Sequence, residues 1–464
     1  MALKSLNDLG CSWSNNIDSR GVEFGGALYN RTSDIRHKEL VREVFTDLLG
    51  SNMLSKQTME QYCSISGDVV RFLPDRYVEG TCPVCEASEA RGDQCDECGS
   101  TYEAHELISP VSKLDPEASI EVRDTDHLFF RLDMFQDSLE SHAALRNTVW
   151  KPNVRSMTKN WLDMGLRPRA VTRDIDWGIE LPMDGDEWSS KRVYVWFEAV
   201  QGYYTCARIW SERFANANGH PDGDSAWERW WKVSDDGQSP KHIYFMGKDN
   251  IPFHALFWPA QLMAVGDKID GEELHLPDVI PANQYVTFKG GKASASRGIG
   301  LTISESLEVF EADSLRYALA ASFPEQSDTE LTVEEICRRI NEELVATWGN
   351  LVNRVLSMIY NSCEATIPSG ELRTEEDLKL LSTIDQIIER AGQEIDNVEL
   401  RSALQTGMSG AAEINAYLNS LEPRKLSKTD PERAATVLGT ALSAIGGVRV
   451  CLSPYLPFST QLLD

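Results

Sequence analysis

The chain runs to 464 residues, enough for two to four domains with substantial cores, and its 42% hydrophobic and 25% charged content is ordinary for a globular protein. With 45 Lys and Arg against 72 Asp and Glu the net charge is −27, which argues against polyanion binding through bulk charge and leaves any RNA contact to a local basic groove. No run approaches the ~18 apolar residues of a membrane span. The opening MALKSLNDLG lacks the basic and apolar regions of a secretory signal, so neither membrane nor export is expected.

In chain order, residues 35 to 62 read as a helix pair, with Leu40, Val44, Phe45 and Leu48 at helical spacing. Cys82, Cys85, Cys95 and Cys98 then form C-x2-C-x9-C-x2-C. Two paired spacings suit a tetrahedral zinc site, and four thiolates leave no position for a catalytic water, so the expected zinc is structural. Cys11, Cys63, Cys206, Cys337, Cys363 and Cys451 stand singly, a distribution that predicts a reduced, cytoplasmic chain with one metal knuckle and no disulfide framework.

VYVWFEAVQGY, residues 193–203, reads as a buried strand entering a helix. His242 to Met246 alternate bulky and small apolar residues ahead of Gly247-Lys248-Asp249, the pattern of a buried parallel strand ending at a ligand edge. Asp249 and His254 fall at its carboxyl end and in the first turn of a helix over 251–264, where open α/β sheets bind ligands. Val286 to Phe288 leads into Gly290-Gly291-Lys292 and a small-residue loop, a glycine-flanked lysine of the kind that covers phosphates. After Val333 the pattern is helical throughout. Ile384, Ile387, Ile388 and Ala391 form one apolar stripe and Leu438, Ala441, Leu442 and Ile445 another, as in a bundle of ~130 residues.

Together these stretches resemble the methionyl-tRNA synthetases. GKDNIPFHALFWPA at 247–260 follows that family's GKDNIxFHxxxWPA, and GGKASASRG at 290–298 follows GxKxSxSRG. VYVWFEAVQGY follows YVWxDAxxGY with Glu198 where aspartate is usual, and Thr172-Arg173-Asp174 with Trp177-Gly178 follows RDxxWG. The resemblance covers the chain from about Leu6 to Leu463 and is closest to the actinobacterial type.

The resemblance implies an α/β fold: a class I synthetase Rossmann-like catalytic core, its first half largely missing, with a zinc-knuckle insertion and a C-terminal α-helical bundle of anticodon-binding type. It divides the chain into a remnant of the nucleotide-binding fold (1–30), the insertion with its knuckle (31–190, knuckle 82–98), the second half of the catalytic fold (191–300), a stem-contact region (301–335) and the bundle (336–464). Trp196, Ala199, Tyr203, Asp249, Phe253 and His254 would receive the amino acid, methionine or an analogue, an aromatic lining that suits a thioether. Lys292, Ser294 and Ser296 would serve the chemistry on ATP, with Mg as its companion, and Asn350, Arg354 and Arg424 would meet tRNA. Within RDxxWG the expected role is a turn with a packed tryptophan holding the insertion on the core.

Three departures qualify the activity implied. Neither His-x-Gly-His nor GxDEHG occurs in the sequence, the lysine-serine loop reads KASAS with Ala295 at the place of a lysine, and Arg424 stands where the bundle normally has tryptophan. In the family the histidine pair caps a helix and stabilises charge at the α-phosphorus, so impaired or diverged amino-acid activation is expected of this polypeptide alone. A misplaced start, a separate chain supplying the missing half, or real loss would each account for the absence. Two other functions stay open: a tRNA-independent amino-acid ligase of the hydrazine-synthetase type working with a cupin, and a non-catalytic binding or partner protein.

Overall fold

The computed structural model describes residues 2–11, 16–17, 23–24, 28–66, 69–73, 77–92, 95, 102, 106–216, 219–233, 240–266, 273–288, 291–292, 300–363, 366–368 and 373–463. They form two compact units, one of residues 13–282 and one of residues 1–12 with 283–464.

In the first unit the helix Ile35–Gly50 is capped by Asp34, whose carboxylate accepts the Arg36 amide at 2.8 Å, and it buries Leu40, Val41, Val44, Phe45 and Leu48. The expected second helix of a pair is instead a strand. Asn52 takes a left-handed φ of 56°, which asparagine tolerates, and Leu54–Ser66 then runs antiparallel to Ser119–Phe130 from Leu54↔Phe130 to Ile65↔Ser119. The segment's few apolar residues fit either period, and its partner lies beyond the cysteine cluster, so local sequence alone could not choose. Val69–Phe72 and Arg169–Ala170 complete a four-stranded sheet around this pair.

The same hairpin is fastened to Thr172–Asp174 by buried charge. Asp174 accepts hydrogen bonds from Lys191 Nζ and from the Thr125 hydroxyl, each at 2.8 Å, and lies 3.1 Å from His127 Nε2. Burial alone would raise the Asp174 carboxyl, but hydrogen bonds from His127 and Lys191 outweigh it and hold it at about 2. Trp177 is not the packed anchor expected of it. It is 60% exposed, with its indole N–H donating to the Tyr77 hydroxyl at 3.0 Å, and Asp174 does the fastening.

The run before Gly247 also differs from a doubly buried strand. Ile243 forms a single parallel bridge with Val279, and the Tyr244 amide bonds the Val279 carbonyl at 2.9 Å. Tyr244 is buried, whereas Ile243 and Phe245 are 39% and 54% exposed, so one face is covered and the other open. Behind it Phe130, Phe197, Ile251, Leu256 and Trp258 pack into the unit's main core.

In the second unit Val286–Phe288 pairs antiparallel with Gly291–Lys292 and parallel with Thr329–Glu330. The helices Asn350–Ser362, Glu375–Asp396, Leu400–Leu421 and Pro431–Leu452 then form the bundle. Both predicted stripes face its core: Ile384, Ala391, Leu438, Ala441 and Ile445 are buried, and Ile387, Ile388 and Leu442 pack against them. Glycine sets the helix spacing, since a Cβ on Gly447 would come within 2.5 Å of Ile384 and one on Gly410 within 2.7 Å of Val448. Contrary to the expectation that no run is long and apolar enough to span a membrane, Pro431–Leu452 is so by length and composition. It is apolar because it is packed in the bundle, burying Val437, Ala441, Ala444, Val448 and Leu452.

One buried ion pair clasps this bundle. Asp377 closes a capping box with Thr374, accepts the Tyr417 hydroxyl at 2.5 Å and bonds both terminal nitrogens of Arg433. The helix Ala2–Asp8 belongs here too. Arg316 donates to the carbonyls of Leu9, Pro454 and Tyr455 at 3.2, 2.6 and 3.0 Å, and Gly10 turns at φ 79° against Phe458.

Candidate functional site

Lys191–Val193 leads into the helix Val195–Ala199, which places Trp196 and Ala199, and a second helix, Gly202–Trp210, carries Tyr203 in its first turn. Met246–Gly247 ends in one 3-10 turn, Lys248–Asn250, carrying Asp249. Phe253 and His254 follow in a π-helical stretch, Phe253–Phe257, before the α-helix Trp258–Gly266. Such widened turns recur where a helix must aim side chains at a ligand.

The two segments meet. Trp196 and Phe253 lie ring to ring at 5.7 Å, and Tyr203, Tyr244 and His254 form a mutual aromatic group with centroids 4.9 to 5.7 Å apart. His254 is polarised in a defined sense. Its Nδ1 lies 2.9 Å from the Asn250 carbonyl, which can only accept, so Nδ1 carries the proton and Nε2 accepts the Tyr203 hydroxyl at 2.9 Å. Burial lowers the His254 pKa, which keeps the ring neutral, and burial raises the Tyr203 phenol. The Asp249 carboxylate folds back against Gly247, where a Cβ would sit 2.7 Å from Oδ1.

Beneath this wall lies a buried trio not foreseen from sequence. His37 Nε2 is 3.0 Å from Glu198 Oε2 and His37 Nδ1 is 2.7 Å from the Thr205 hydroxyl, so the helix bearing Trp196 is tied to Ile35–Gly50. Gln201, between the helices Val195–Ala199 and Gly202–Trp210, donates at 2.9 Å to Gln261 on Trp258–Gly266, and both are buried. The available signal was Glu198 itself, a carboxylate inside an otherwise apolar junction.

In the cysteine subdomain the sulfurs of Cys82, Cys85 and Cys95 all lie within 4.8 Å of one another, with Cys85 and Cys95 3.6 Å apart. The Val84 and Cys85 amides point at Cys82 Sγ, at 3.4 and 3.5 Å. Zinc–sulfur bonds of ~2.3 Å in a tetrahedron require sulfurs roughly 3.8 Å apart, so this donor set fits the ion. Cys98 lies outside the described residues.

In the second unit Lys292 takes its place in the short hairpin, opposite Thr287, and Ser294 and Ser296 lie outside the described residues. Asn350 and Arg354 are exposed on the Asn350–Ser362 helix. Arg354 is held by the side chains of Asn415 and Asn419 at 2.8 and 3.3 Å, and Arg424 is exposed in Pro423–Thr429.

An aspartate after a short strand, a histidine-bearing helix and, further along the chain, a helical bundle accord with the class I aminoacyl-tRNA synthetases, whose family model the sequence matches. Residues 12–356 match the family described as tRNA synthetases class I (M), and residues 367–464 match the anticodon binding domain of methionyl tRNA ligase. The chain belongs to the methionyl-tRNA synthetase family. Methionine--tRNA ligase of Roseiflexus sp. (strain RS-1) is 42% identical over 445 residues, covering 96% of this chain and 72% of that protein. The ligase of Thermobifida fusca (strain YX) is 40% identical over 442 residues, covering 94% and 70%. Among solved structures, Mycobacterium tuberculosis methionyl-tRNA synthetase bound by methionyl-adenylate aligns with a TM-score of 0.73 at 23% identity, over 100% of this chain and 78% of that one, which shows the shared fold.

Proposed function

We propose that the chain activates methionine with ATP for transfer to tRNA, at a rate held down by its KASAS loop. The observation that carries the proposal is the aromatic group around a neutral His254. Trp196, Phe253 and Tyr203 offer a thioether polarizable faces, and Ala199 and Asp249 would complete the amino-acid site. Adenylate formation depends on positioning and on neutralising phosphate charge. Lys292, Ser294 and Ser296 would take that role with ATP and its Mg, and alanine at 295 removes one cation from it. Zinc at Cys82, Cys85 and Cys95, with Cys98 as fourth ligand, would hold the knuckle closed and take no part in the reaction.

One observation favours a second reading. Arg424 in place of an aromatic suits a ligase that works without tRNA. The anticodon-domain match across residues 367–464 weighs against it.

The test is binding of a panel of amino acids by saturation-transfer NMR together with amino-acid-dependent ATP–pyrophosphate exchange. Binding selective for methionine, with slow exchange that Ala295→Lys accelerates, is the expected result. Preference for another amino acid would overturn the substrate. Fast exchange indifferent to Ala295→Lys would overturn the role of the loop.

A further inference from the structure

The Asn350–Ser362 helix carries a feature that the proposed function does not use. Between Glu343 and Glu364 the sequence has no acidic residue, in a chain with 72 of them, so this is a local neutral-to-basic stretch on an acidic protein. The helix buries Leu351, Val355 and Ile359. Asn350, Asn353, Arg354, Ser357, Tyr360 and Asn361 are exposed, and at ~100° per residue they share one face. That face offers amide and guanidinium hydrogen bonds with a single large ring at its end. Tyr360 is 70% exposed, and neither its ring nor its hydroxyl has a partner among the described residues.

We infer that Tyr360 is a stacking platform for an unpaired RNA base, taking over the task that Arg424 leaves without an aromatic. The inference rests on the tRNA reading above and deepens it. Six residues of α-helix separate Arg354 from Tyr360, about 9 Å of rise. Stacked bases repeat at about 3.4 Å, so the two side chains bracket a run of about three unpaired bases. Arg354 is already oriented by Asn415 and Asn419, and Asn415 is itself fixed by bonds to the Thr347 and Ala411 carbonyls at 3.3 and 3.0 Å. One end of the run thus meets a buttressed cation and the other an open aromatic face, the pairing that holds single strands by charge and stacking.

The experiment is fluorescence anisotropy of a labelled RNA hairpin with CAU in its loop, titrated with the full chain and with Tyr360→Ala, Tyr360→Phe and Arg354→Ala. Tyr360→Ala is expected to weaken binding about 5- to 150-fold, the range of one base-aromatic stack, with its melting temperature unchanged and with Tyr360→Phe restoring affinity. Wild-type affinity in Tyr360→Ala, alongside a loss in Arg354→Ala, would overturn the platform and leave the tRNA reading standing. No binding of the hairpin by the unsubstituted chain would overturn both.

Discussion

The Tyr203 hydroxyl lies 2.9 Å from His254 Nε2, and the Asn250 carbonyl on the other ring nitrogen makes tyrosine the donor. The bond joins the start of one helix to the π stretch of another, so it sets the separation of the two aromatic walls as well as the tautomer. Tyr203→Phe should leave Nε2 without its donor and lower stability by about 1 kcal/mol in urea unfolding. Long-range 15N–1H NMR should report His254 protonated at Nδ1 in the parent chain, and a less uniform tautomer in the variant.

Acid should loosen the first unit before it reaches any carboxylate. Burial lowers the pKa values of His142, His242 and His254, His142 to about 4. Between pH 6.5 and 4 the unfolded chain therefore binds protons that the folded chain refuses, and stability falls as pH drops through that window. His142 alone accounts for about 3 kcal/mol across it, at ~1.4 kcal/mol per unit. Asp174 and Asp278 are lowered instead, so their contribution is kept above the ordinary carboxylate range and is lost only below it. Urea midpoints at pH 7.5 and 5.0 should differ accordingly, with His142→Asn, where it folds, showing a shallower dependence.

Purified chain should carry about one zinc per polypeptide by elemental analysis. Cys95→Ser should lose it, because Cys95 is buried with its sulfur facing Cys85, and should make the loop after Thr81 readily cut by protease. A metal-free chain with the same protease resistance would contradict the assignment.

In the bundle, Asp377→Ala removes a carboxylate bonded to Arg433, Tyr417 and the Thr374 amide. Burial by itself would raise this carboxyl, but those bonds overcome it and hold it at about 2. Breaking a buried pair from one side should cost about 3 kcal/mol, the low end for such losses because Arg433 can still reach water. Denaturant unfolding should show the loss as a shifted midpoint with little change in slope.

What was legible in the sequence was whatever local pattern dictates. The bundle stripes at Ile384 and Leu438 were written in a few adjacent residues and lie on the helices expected, and the spacing of Cys82, Cys85 and Cys95 told that their sulfurs would gather. The illegible parts depend on distant partners. Leu54–Ser66 is a strand because Ser119–Phe130 lies beside it, and Phe245 is open because only one neighbour pairs with its segment. Trp177 reads as a core anchor by type, yet a buried Lys191 made Asp174 the better fastening. His37 gave no motif at all, since its role exists only opposite Glu198.

The π stretch Phe253–Phe257 holds its surplus as a count of residues. Deleting one residue there would return the turn to α-helical register. The same edit would rotate everything before it by about 100°, swinging the imidazole away from the phenol and the phenyl ring away from the indole. The aim of this wall is therefore set by arithmetic along the backbone, and a deletion that spares every named residue should blind it as thoroughly as removing them.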